Sequence, residues 1–254
     1  MLDNVVIGRY YPIKSKIHSM NPICKIICLL LYLITLLFST DIVLTLVLTI
    51  FTLILMFLSN VPSKVYFNTV FSLKYLLLFL LIVNTIFGIN ILSTITMIIR
   101  LSILVIYTTI ITLTTPPTEI TYGLEKTFAF LRIFKVPVNK MALSLTLAIR
   151  FIPTIIDQAN KILKSQASRG IDYYNSDLKG KIVAVKSMLY PMINLTIKRA
   201  DDLSDAMEVR LFSINSKRTN YRINKWKMFD NYILMVHMIL LFIIIVKGVI
   251  IWDI

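Results

Sequence analysis

Charge is scarce in this chain: Asp, Glu, Lys and Arg make up 16% of its 254 residues, against about a quarter in a soluble domain. Cysteine and histidine are scarcer still, with two of each. Cys24 and Cys28 lie one helical turn apart and can build neither a zinc site nor a disulfide framework, so core packing is the role that remains. His18 and His237 are isolated, and no cluster of His, Cys, Asp or Glu has metal-ligand spacing. No GxxxxGKS or GxxxxGKT loop can cradle a nucleotide's phosphates, and no GxSxG elbow presents a nucleophile. A resident nucleotide, a structural metal and a common hydrolase centre are thereby set aside.

What the chain has in excess is apolar surface. It is 57% hydrophobic with a mean hydropathy of +0.79, and several runs approach or exceed the roughly 18–20 apolar residues that cross a bilayer. An all-α, polytopic membrane protein follows. The net charge of +14 need not mean nucleic acid, because cytoplasmic loops of membrane proteins collect Lys and Arg, and no nucleic-acid partner is expected. Five spans are predicted, at about 26–38, 42–58, 71–87, 91–113 and 232–252. Residues 1–25 form a polar amino-terminal arm without the small-residue cleavage site of a removable signal peptide. Residues 26–115 carry the first four spans, 116–230 a charged region, and 231–254 the last span. The charged region holds 19 of the 27 Lys and Arg residues. With the arm and this region in the cytoplasm of a cell-membrane protein, every cation-rich connection lies inside. The apolar stretch 141–156 would break that agreement as a sixth span, so it is expected along the membrane face or within the protein.

No Asp or Glu occurs in the five spans, which disfavours a channel or secondary transporter with an acidic relay. Arg100 is the ionisable residue deep within a span. Either it is functional, or it pairs with a carbonyl or a polar group such as Asn84 or Asn90, or it reaches toward an interface.

Three helices are predicted in the charged region: a short amphipathic one at 118–132, a long one at about 139–169, and a third at about 182–211. The second carries a stripe of Ile152, Ile155, Ala159, Ile162, Gln166 and Arg169 near the 3.6-residue period. Pro153 and Arg150 interrupt its apolar half, and the proline is expected to bend it there. Gly170 is the residue type that closes a helix in the left-handed conformation. The third helix carries Leu189, Ile193, Thr196, Ala200, Leu203, Met207 and Arg210, while Asp201, Asp205 and Glu208 share another face. Each long helix thus places an arginine in its last turn, in line with the stripe meant for burial. One reading is an ordinary helix terminus complementing the macrodipole; the other is that both ends insert into something. A further reading, a membrane-embedded enzyme acting on phospholipid head groups, would have to use the acids Asp201, Asp202, Asp205 and Glu208.

Several segments together resemble the T component, the transmembrane scaffold subunit of energy-coupling factor transporters, which are ATP-binding-cassette importers. These are Leu147-Ala148-Ile149-Arg150-Phe151-Ile152-Pro153 leading into Gln166-Ala167-Ser168-Arg169-Gly170, and Lys198-Arg199-Ala200-Asp201-Asp202-Leu203 leading into Ala206-Met207-Glu208-Val209-Arg210. The amino-terminal Ser15-Lys16-Ile17-His18, Asn21-Pro22 and Lys25 join them. The resemblance implies that Ala167, Ser168, Arg169 and Gly170, and then Val209, Arg210 and Leu211, dock into two ATPase subunits. It implies a hinge at Arg150 and Pro153 and packing through Ala159, Ile162, Leu189, Ile193, Ala200 and Leu203. It also implies a small membrane S component that captures a vitamin or metal ion, and ATP with magnesium held by the partner ATPases. This chain would then bind no cofactor or substrate and catalyse nothing. The family's motifs are Ala-Arg-Gly or close variants; Val209-Arg210-Leu211 keeps the arginine without its small neighbours, which fits an asymmetric pair of ATPases.

Overall fold

A computed structural model describes residues 10–39, 41–88, 90–170, 177–213 and 225–252. Among these residues there is no strand. The order is α1 (Pro22–Phe38), α2 (Ile42–Leu58), α3 (Ser63–Ser72), α4 (Lys74–Ile86), α5 (Ile91–Thr114), α6 (Pro117–Thr127), a 3-10 segment (Phe128–Phe134), α7 (Val138–Ala167), α8 (Leu178–Val209) and α9 (Met228–Trp252). Two compact units result. Among the described residues one holds α1 to α6 and α9, and the other holds α7 and α8.

The chain is an all-α polytopic membrane protein. By length and composition α5, α7 and α9 are able to cross a bilayer, and α3 with α4 makes a fourth such element bent by 49°. α1 and α2 have 17 apolar-rich residues each, at the lower limit of what spans the hydrocarbon core. The third expected span, 71–87, is α4 with the last two residues of α3, and the rest of α3 occupies the stretch between the second and third expected spans. The break falls at Leu73, where the Lys74 ammonium lies 4.7 Å from the centre of the Phe71 ring and 5.0 Å from that of Tyr75. The ammonium thus rests on aromatic faces beside the break. The expected helix at 118–132 is likewise divided, into α6 and the 3-10 segment.

The bundle is organised around α1, which packs against α9, α6 and α5, while α2 packs against α5. Its interior is not simply apolar. Tyr32 and Tyr107 stack with ring centres 4.0 Å apart. His237, isolated in sequence, is buried beside them: its Nδ1 donates to the Ile233 carbonyl at 2.8 Å, and its Nε2 accepts from the Tyr107 hydroxyl at 2.8 Å. Thr52, buried in α2, donates to the Leu48 carbonyl at 2.6 Å. Such back-bonding lets a hydroxyl face lipid or protein without an orphaned donor. Cys24 and Cys28 are buried and free, with their sulfurs 3.8 Å apart, in agreement with a packing role. Arg100 donates from Nε to Thr45 Oγ1 at 3.1 Å, rather than to Asn84 or Asn90, and Asp41 at the head of α2 attracts it. Asp41 also pairs with Lys247 of α9. Asn90 instead caps α5, accepting from the Leu92 amide at 3.3 Å.

The arm joins the bundle through the residues of the amino-terminal signature. The Asn21 side chain accepts from the Ile23 amide at 2.9 Å, with Pro22 at the first helical position, the preferred chemistry for starting a helix. Lys25, buried, donates to the Thr114 carbonyl and to Thr115 Oγ1, both at 3.0 Å. It thereby places a cation on the negative end of α5. Asp230 accepts from the Asn21 amide at 3.2 Å and the Lys227 amide at 2.8 Å, so the starts of α1 and α9 are tied together. His18 completes the clasp: Ser15 Oγ lies 2.7 Å from Nδ1, and Nε2 donates to the Tyr11 carbonyl at 2.9 Å.

Burial holds the His18 imidazole below the usual histidine value, opposed by the Tyr11 carbonyl and reinforced by the Lys25 ammonium. The folded arm therefore favours the neutral ring. Its contribution to stability is complete above the ordinary histidine pKa of about 6.5 and is lost as pH falls through the lowered folded-state value. Thermal unfolding in detergent should show a fall in Tm as pH drops below about 6.5 that His18→Gln removes; an equal fall in both proteins contradicts this.

Candidate functional site: two cationic helix tips

α7 runs unbroken from Val138 to Ala167 with Pro153 inside it. The proline has no N–H, so the Ile149 carbonyl lacks its helical donor. Arg150 and Pro153 are exposed. Along the predicted stripe Ala159 is buried, Ile155, Ile162 and Gln166 are half-buried and Ile152 is exposed, while Asp157, Lys161 and Lys164 on the other side are exposed. The helix thus has two faces for the reason its period implies. Beyond it Ser168 donates to the Ser165 carbonyl at 2.8 Å, and the Gly170 amide donates to the Ala167 carbonyl at 3.0 Å. Gly170 takes φ +85°, with open space where a Cβ would be. Ala167, Ser168, Arg169 and Gly170 are all exposed.

α8 also contains a proline, Pro191, so both long helices carry an interruption upstream of their arginine. It starts at Leu178 behind Asp177, earlier than the predicted 182; the rest of the predicted connecting loop up to 176 lies outside the described residues. Its end is a six-residue cap. The Leu211 amide donates to the Glu208 carbonyl at 2.8 Å, and the Phe212 amide to the Met207 carbonyl at 3.0 Å, the paired bonds of a Schellman motif. The position that glycine normally fills is Leu211, at φ +54°. A side chain there costs about 1 kcal/mol relative to glycine. Leu211 is nonetheless 91% exposed and Val209 84% exposed, so the strained leucine gains no packing from the chain itself. Arg210 sits between them, exposed.

α7 and α8 have no extended common interface. Among the described residues the Gln158 amide faces Arg199, and with that amide turned to pair, its carbonyl oxygen accepts from Nε at 3.0 Å and Nη2 at 2.8 Å. This fork-like contact fixes direction as well as distance, and nothing in the periodicity pointed to it. Periodicity selected the covered face of α8 only in part, since Leu203 and Met207 of the predicted stripe lie on it. Ala184 is buried and Met188, Met192, Arg199, Leu203 and Met207 are half-buried, whereas Leu189, Ile193 and Ala200 are exposed. The row Ile182, Val185, Leu189, Ile193 and Ile197 therefore presents apolar side chains outward. Among the described residues the guanidinium groups of Arg169 and Arg210 form no hydrogen bond or ion pair, and the Arg169 backbone amide donates to the Gln166 carbonyl at 3.0 Å. The acids Asp201, Asp202, Asp205 and Glu208 are exposed on α8, and among the described residues no group of acids, histidines and cysteines is arranged to hold a metal.

Residues 13–221 match the family model CbiQ, described as cobalt transport protein. The chain is 31% identical over 246 residues to the energy-coupling factor transporter transmembrane protein EcfT of Macrococcus caseolyticus, covering 91% of this chain and 93% of the relative. It is 29% identical over 250 residues to the protein of that name from Listeria innocua, covering 92% and 94%. With the Bacillus subtilis protein it shares 29% identity over 242 residues, covering 89% and 91%.

Leu211→Gly should relieve the strained backbone and slow amide exchange at Leu211 and Phe212 about fivefold, the equivalent of about 1 kcal/mol. Gly170→Val should hasten exchange in the last turn of α7 by a similar factor. Unchanged exchange in both variants contradicts the assignment of these caps.

Proposed function

Because the chain belongs to the CbiQ family and to the T components of energy-coupling factor transporters, we propose that it works as a lever between ATPases and a substrate-capturing partner. A transporter's transmembrane subunit of this kind is not itself catalytic. ATP and magnesium belong, in this reading, to two ABC-type ATPase subunits. Arg169 and Arg210 enter a cleft on each and donate to carboxylates or carbonyls there, a task for which the planar guanidinium is suited. The observation that carries the reading is the isolation of both arginines: each stands exposed at the end of a long helix, its guanidinium without a partner among the described residues of its own chain.

Closure of the ATPase pair on ATP then moves the two tips relative to each other. The Gln158–Arg199 contact passes movement of one helix to the other, and Arg150 and Pro153 provide the place where α7 yields. The outward apolar row on α8 supplies a surface for a small membrane S component that carries a vitamin or metal ion. Positive-inside bias places the amino terminus and both tips in the cytoplasm, with α1, α2, the α3–α4 pair, α5 and α9 as the five spans and α7 outside them.

Replacing Arg169 and Arg210 together by Glu should abolish ATP-driven uptake and release the ATPases during purification, while the chain stays in the membrane. Loss of one partner from a desolvated charged contact weakens binding by about 2–5 kcal/mol. Undiminished uptake by the double variant contradicts the proposal.

A further inference from the structure

The segment between α6 and α7 is used neither by the lever nor by the bundle core. We propose that Phe128–Phe134 is an interfacial anchor that inserts into the cytoplasmic leaflet and prefers anionic phospholipid.

Its depth is set by the bundle. α6 follows α5 through Pro116 and Pro117 and packs along α1. At Gly123 the approach is so close that a Cβ would lie 2.6 Å from Ile26 Cδ1 and 3.1 Å from the Pro22 carbonyl oxygen. Pro22 to Ile26 is the first turn of α1, so α6 at Gly123, in the turn before its last, is held at the level where that helix begins. The 3-10 segment continues from there, and its close is fixed by Lys135 at φ +60°. The Lys135 amide donates to the Arg132 carbonyl at 3.0 Å and the Val136 amide to the Leu131 carbonyl at 3.4 Å.

On this ledge Phe130, Ile133 and Phe134 are 54%, 83% and 73% exposed. Aromatic and aliphatic side chains so displayed at the edge of a bilayer find their complement in the boundary between headgroups and acyl chains. Charge decides which lipid. From Lys126 to Val138 the chain has three cations, Lys126, Arg132 and Lys135, and no acid, and all three are exposed. Basic residues beside inserted apolar ones are the pattern that binds an anionic leaflet. The anchor would give the bundle side of the lever a fixed footing beside the point where α7 leaves it.

The inference rests on the orientation proposed above, and the test separates the two. The full-length Ile133→Cys chain, carrying a nitroxide, is reconstituted in nanodiscs of phosphatidylcholine with or without phosphatidylglycerol. Collisions with oxygen and with a water-soluble nickel chelate are then compared. Leu78→Cys on the exposed face of α4 and Ser168→Cys at the first tip serve as the lipid and water references. With phosphatidylglycerol, position 133 should behave as Leu78 does. Changing Lys126, Arg132 and Lys135 to Gln should lower the ratio of inserted to exposed label about fivefold per cation. Nickel access at 133 in phosphatidylglycerol discs, shielding from both reagents as under a covering protein, or indifference to the three substitutions would each overturn the anchor. Labelling of Ser168→Cys by an impermeant thiol reagent in intact cells would overturn the orientation instead.

Discussion

A bilayer supplies no hydrogen bonds, so each polar group in the membrane unit must find its partner within the chain. That constraint accounts for features that look unrelated in the sequence. Threonine hydroxyls turn back onto carbonyls of their own helices, as Thr52 does onto Leu48. His237 is held between a carbonyl and the Tyr107 hydroxyl. Lys25 reaches across to the last carbonyl of α5, satisfying an acceptor that a helix end otherwise leaves open. Asp230 binds two amides, one at the head of α1 and one just before α9. These contacts fix the ends of α1, α5 and α9 against each other, and they explain why the amino-terminal signature consists of Asn21, Pro22 and Lys25: a cap, a helix start and a clasp.

The other unit departs from that economy. α7 and α8 end in arginines whose guanidinium groups have no partner among the described residues, α8 displays an apolar row, and Leu211 occupies a backbone conformation suited to glycine while exposing its side chain. These open groups are what the proposed docking to other subunits would complete. The two tips also differ in chemistry. The first is flanked by Ala167, Ser168 and Gly170, and the second by Val209 and Leu211, so the sockets that receive them are expected to differ as well.

Most of the architecture was legible from hydropathy and period. The second span matched α2 to the residue, and the long helices α7 and α9 fell within a few residues of expectation, because length and apolar run are local properties. Gly170 was recognised as a helix end for a local reason too. What was missed depends on contacts between distant residues. Arg100 chose Thr45 over nearer asparagines, and His237 looked isolated because Tyr107 lies 130 positions away. On α8 the predicted stripe holds at Leu203 and Met207, whereas Leu189, Ile193 and Ala200 are exposed and the covered face includes Arg199, a residue that composition assigns to solvent.

The central claim, that force enters through the tips, can be examined without measuring transport. Nitroxides on Ser168→Cys and Ser213→Cys, beside the two arginines and within one unit of the fold, report the separation of the tips by pulsed dipolar spectroscopy in the complex with ATPases. The account predicts one distance distribution without nucleotide and a displaced one when ATP is trapped. A distribution that is the same in both states contradicts it.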